Sequence, residues 1–117
     1  MENAARLGTL CHIDVSGISP QTLDNLDYLK EVLRTAANKA NVSVLSMAEH
    51  RFKPQGTTLM LLLSESHLTI HTWPEYEAAA IDFFTCGPRE NIKAGVDYII
   101  DALTPKKSSI TYVERTI

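Results

Sequence analysis

The sequence predicts an α+β fold, a two-layer α/β sandwich with helices on one face of a mainly antiparallel sheet. Strand-like runs outnumber helical ones, two long segments carry apolar residues at three- and four-residue steps, and short turns with Pro or Gly separate successive strands. With 117 residues, 44% of them hydrophobic, the chain can build one core of its own. No repeat, low-complexity stretch or linker divides it, so residues 1–117 are expected to form a single domain.

Residues 7 to 16 (LGTLCHIDVS) are rich in strand formers and stop at Gly17. Ser19-Pro20 follows, a serine suited to cap a helix and a proline suited to its first position. Leu23, Leu26, Leu29, Leu33, Ala36 or Ala37, and Ala40 then recur at helical spacing, with Asp27, Lys30, Glu31 and Arg34 mostly between them, which predicts an amphipathic helix covering the sheet. Val42, Val44 and Leu45 open a second strand, and Pro54-Gln55-Gly56 marks a turn before the apolar run 57 to 63. Residues 67 to 73 and 78 to 85 are again strand-like, separated at Pro74-Glu75-Tyr76, where the proline breaks the ladder. After Gly87-Pro88, the residues Ile92, Val96, Ile99, Ile100 and Leu103 predict a second helix, and 108 to 114 a last strand.

The formal charge is −3, and the Lys and Arg residues are scattered, so the basic stripe of a nucleic-acid binder is absent. No apolar run approaches the ~20 residues that span a bilayer, and the opening MENAARLG has no basic region leading into an apolar one, so a soluble cytoplasmic protein without a membrane partner is expected. The two cysteines, Cys11 and Cys86, lie far apart with no CxxC spacing, which indicates neither a disulfide framework nor a zinc knuckle. Cys11, close to Leu10 and Ile13, is expected to be buried in a strand.

Reactive side chains crowd residues 64 to 76, SESHLTIHTWPEY. His67 and His71 stand four apart, as two zinc ligands do on a helix, but Thr69, Ile70, Thr72 and Trp73 favour a strand. Four strand residues span about 13 Å, too far for two imidazoles to share one ion. A Ser/His hydrolase would need a nucleophile elbow such as GxSxG, whereas Ser66 sits in Glu-Ser-His. On a straight strand Ser66 shares a face with Leu68 and Ile70, and His71 shares the other with His67 and Trp73. For Ser66 and His71 to cooperate, the backbone at residues 64 to 67 must turn or bulge, as an exposed, strained peptide bond would also require.

The run ESHLTIHTWPE, together with AAAIDFFTCG and HRFKPQG, resembles the short prokaryotic S-adenosylmethionine decarboxylases, proenzymes that make their own pyruvoyl cofactor. The resemblance extends over nearly the whole chain. It implies self-cleavage between Glu65 and Ser66 into residues 1–65 and 66–117, with Ser66 becoming the pyruvoyl group and Schiff-base site. By the same likeness His71 is the proton acceptor in processing, Cys86 the proton donor in decarboxylation, Glu75 the acceptor for the ribose hydroxyls and Phe52 the aromatic that stacks on adenine. A pyruvoyl carbonyl serves as the electron sink that pyridoxal phosphate provides elsewhere, so neither pyridoxal phosphate nor a metal is expected. The implied substrate is S-adenosylmethionine, the product an aminopropyl donor for spermidine, and the assembly a homodimer of processed protomers with sites near the interface.

Several positions depart from the family's usual residues. Thr58 stands for a serine that assists processing and Leu59 for a glycine, a change expected to narrow the space beside Thr58; Leu10 stands for a histidine and Glu77 for a glycine. Relatives that use the same group on arginine or ornithine are the alternative substrate classes. A chain in which Ser66 stayed serine would instead be a binding protein on the same fold.

Overall fold

The computed structural model describes residues 5–117; residues 1–4, the first half of the MENAARLG segment, lie outside the described residues. Six strands, β1 (Arg6–Ser16), β2 (Val44–Arg51), β3 (Thr57–Leu63), β4 (Ser66–Trp73), β5 (Ala78–Thr85) and β6 (Lys107–Thr116), form one sheet in the order β2-β3-β4-β5-β1-β6. All neighbours are antiparallel. Helices α1 (Pro20–Leu23), α2 (Leu26–Lys39) and α3 (Arg89–Leu103) supply the second layer.

Period-two alternation decides which side chains meet the helices. On β3 the buried positions are Thr57, Leu59, Leu61 and Leu63, and on β5 they are Ala79, Ile81, Phe83 and Thr85. Leu29, Leu33 and Ala36 of α2, with Ile92, Val96 and Ile99 of α3, close over them. Each such large apolar side chain contributes roughly 1.5–3 kcal/mol by leaving water. Gly95 lets the helices approach: a Cβ there would lie 2.8 Å from the Ala36 carbonyl oxygen and 2.9 Å from the Phe83 ring.

The helix expected to run on from Ser19-Pro20 is instead broken at Asp24-Asn25. Asn25 caps α2, its side-chain oxygen accepting from the Tyr28 N–H at 3.1 Å, while the Ser19 hydroxyl donates to Gln21 and caps nothing. The break frees Asp24, whose carboxylate accepts from the Gly56 N–H at 3.2 Å and steadies the turn before β3.

No helix among the described residues covers the second face of the sheet. It carries Met60, Leu62, Trp73 and Val113, which are 47%, 54%, 43% and 38% exposed, together with His12, His67, His71 and Phe84. Among the described residues, no helix is long and apolar enough to cross a membrane.

Candidate active site

Residues 64 and 65 form the two-residue turn of the β3–β4 hairpin, and Ser66 opens β4 opposite Leu63 on one side and Thr85 on the other. Ser66 has φ 139°, a region that residues other than glycine rarely occupy and that costs roughly 1–3 kcal/mol. The strain sits in the Ser66 backbone, immediately after the Glu65–Ser66 peptide bond. Because Ser66 pairs with Thr85, the next residue along, Cys86, comes beside the turn, and its Sγ lies 4.0 Å from the Glu65 carbonyl oxygen. Cys86 is exposed, whereas Cys11 is fully buried in β1. Burial pushes the Cys11 thiol up to about 11, against a smaller lowering by its hydrogen bond with Tyr112. At the same end of the sheet the Glu114 carboxyl is held below the ordinary glutamate range, first by the Thr9 hydroxyl and then by Arg6.

A second group gathers near the other end of β4. A cleft of about 280 Å³ is lined by Phe52, Gln55, Thr58, His71, Trp73 and Glu75, among others. Thr58 stands directly opposite His71 across the β3–β4 ladder, and its Oγ1 lies 2.9 Å from Nδ1 of the imidazole. That contact fixes the ring and leaves its other nitrogen for chemistry. Phe52 is half-exposed, its ring against His50 at 4.6 Å, in the turn that Gly56 closes. Glu75 lies in the 3₁₀ turn Pro74–Tyr76 and is an exposed lining residue of the cleft.

The expected site residues therefore form two groups, Glu65–Ser66–Cys86 and Phe52–Thr58–His71–Glu75. The turn at 64 and 65 is where cooperation required it, but β4 pairs without interruption from Ser66 to His71 on both sides. Five strand steps, from Ser66 to His71, separate the two by about 17 Å within one chain. Leu59 corrects another expectation, for it is fully buried against the helices on the face opposite Thr58 and takes no space from the cleft. Glu77 adopts the left-handed conformation (φ 53°), which explains why glycine suits that position. Gln55 and Trp73 join the cleft without having been singled out as ligand contacts; Trp73, inside the reactive motif and on the His71 face, was the one with a readable signal.

A family model described as S-adenosylmethionine decarboxylase matches residues 9–116. The chain is 42% identical over 111 residues to a Thermodesulfovibrio yellowstonii protein named S-adenosylmethionine decarboxylase proenzyme, an alignment covering 95% of this chain and 82% of that one. It is 37% identical to an Aquifex aeolicus protein of the same name, over 97% of this chain and 84% of the relative. A crystal structure of the adenosylmethionine decarboxylase from Aquifex aeolicus superimposes with a TM-score of 0.90 at 36% identity, covering 97% of this chain and 94% of that one. Likeness of this extent, in sequence and in fold alike, places the chain in the S-adenosylmethionine decarboxylase family.

Proposed function

We propose that the chain is a pyruvoyl-dependent S-adenosylmethionine decarboxylase, activated by self-cleavage at Glu65–Ser66 and assembled as a homodimer whose sites each draw on both protomers. The observation that carries this reading is the strained Ser66 backbone, φ 139°, beside an exposed thiol 4.0 Å from the Glu65 carbonyl oxygen. A serine at this bond suits the conversion. Its hydroxyl attacks the Glu65 carbonyl, the C–N bond breaks, and an ester replaces the amide. Removal of the Ser66 α-proton by His71 then expels the Glu65 carboxylate, ending one chain at residue 65. The dehydroalanine left at position 66 takes up water and releases ammonia to become a pyruvoyl group.

His71 must be within about 3 Å of that α-proton, or one water away, and its own chain holds it about 17 Å off. A partner packed on the uncovered sheet face resolves the conflict by bringing its Thr58–His71 pair to Ser66. The apolar residues Met60, Leu62, Trp73 and Val113 on that face suit such burial. In the tautomer whose Nδ1–H donates to Thr58 Oγ1 across the 2.9 Å contact, Nε2 of His71 carries the lone pair that accepts the proton. The cleft of about 280 Å³ falls just short of the usual volume of a drug-sized ligand pocket, as expected of half a shared site.

Once formed, the pyruvoyl carbonyl supplies an electron sink for loss of the substrate carboxylate. Phe52 stacks on the adenine, Glu75 accepts hydrogen bonds from the two ribose hydroxyls, and Cys86 holds the proton returned to the substrate α-carbon. The product is an aminopropyl donor for polyamine synthesis. Carbon dioxide release from carboxyl-labelled S-adenosylmethionine, lost when cyanoborohydride is added with substrate, is the expected result. Release from labelled arginine or ornithine, with none from S-adenosylmethionine, would overturn the substrate assignment.

A further inference from the structure

The turn that carries Cys86 is held by a residue far away in sequence. Arg6 Nη1 donates to the Cys86 carbonyl oxygen at 2.7 Å, and Nη2 donates to the Gly87 carbonyl oxygen at 2.9 Å and to Thr9 Oγ1 at 2.7 Å. Its Nε donates to Glu114 Oε1 at 3.2 Å, and the Thr9 hydroxyl donates to Glu114 Oε2 at 2.6 Å. From the other side the Gly87 N–H donates to Thr85 Oγ1 at 2.7 Å. Three backbone polar groups of residues 86 and 87 are thus fixed. The two strands also approach closely here: a Cβ on Gly8 would lie 2.6 Å from the Thr85 carbonyl oxygen.

We infer that Arg6 is a positioning residue of the active site, clamping the Cys86–Gly87 turn so that the Cys86 thiol stays against the Glu65–Ser66 peptide bond. The inference rests on the reading of Cys86 and Ser66 given above. A planar guanidinium can donate to two successive carbonyls while a carboxylate orients it from behind, which an ammonium cannot reproduce. Proton delivery falls off steeply with distance, and a misplacement of about 1 Å can cost on the order of a hundredfold in rate. The clamp touches neither substrate nor reacting atoms; it acts through the backbone of Cys86.

The test compares wild type, Arg6→Ala and Arg6→Lys for the rate of self-cleavage in freshly purified full-length chain, for kcat and KM on S-adenosylmethionine after cleavage, and for the urea midpoint. The expected result is kcat lowered roughly tenfold or more in Arg6→Ala at unchanged KM, with part of the loss recovered in Arg6→Lys. If Arg6→Ala does not fold, Arg6→Lys decides: lowered kcat at wild-type KM and urea midpoint supports the clamp. Wild-type kcat in the folded variants, or a change in KM alone, would overturn it. A wild-type chain that never cleaves would overturn the underlying reading, and the clamp with it.

Discussion

At the scale of single residues, Thr58 and Cys11 show how neighbours determine what a side chain does. Thr58 orients His71 through one hydrogen bond of 2.9 Å, a contact worth at most about tenfold in rate. Thr58→Val should therefore slow self-cleavage by roughly tenfold, while Thr58→Ser, which keeps the hydroxyl, should cleave at least as fast as wild type; time-resolved denaturing electrophoresis reads both. Cys11 is the buried thiol and Cys86 the exposed one. Because the folded chain holds the Cys11 thiol at about 11, above the 9.0 of a free thiol, its contribution to stability is complete below pH 9 and is lost as pH rises through 11. Urea midpoints of wild type should fall across that window more steeply than those of Cys11→Val, and alkylation of native protein at pH 8 should label Cys86 alone.

At the scale of elements, strands and helices were legible because apolar periods of two and of three to four are physical consequences of which face is buried. The Thr58–His71 contact was legible too, once residues 64 and 65 are read as a two-residue turn: Leu63 then pairs with Ser66, and the ladder places Thr58 opposite His71. The orientation of Leu59 follows from the same parity, since it shares a face with Leu61 and Leu63. The break at Asp24-Asn25 was hidden because the leucine spacing continues through it, while Asn25 starts a new helix through its cap. Arg6 was hidden for another reason, as its contacts depend on β1 pairing between β5 and β6, a non-local choice that no local pattern encodes. Helix α3 ends at Thr104 in the left-handed conformation (φ 45°), where a β-branched residue is strained and glycine is not. Thr104→Gly should raise unfolding free energy by about 1 kcal/mol, seen as a higher urea midpoint, with self-cleavage unchanged.

At the scale of the whole molecule, the separation of about 17 Å between Ser66 and His71 within one chain is the reason we propose a second protomer as part of the chemistry. Ser66→Ala and His71→Ala chains should each remain intact when purified alone. On mixing, the His71→Ala chain should be cut, because its Ser66 meets the His71 of a Ser66→Ala partner; persistence of both intact chains would place any action of His71 within its own protomer. A chain that supplies its own prosthetic group records the event in its mass, so intact-mass analysis under denaturing conditions, with and without a carbonyl-trapping reagent, is the most direct measurement. Two chains of 65 and 52 residues, the second beginning with a trappable ketone at position 66, are the predicted result. A single chain of 117 residues that persists after long incubation, with no trappable carbonyl, would contradict it.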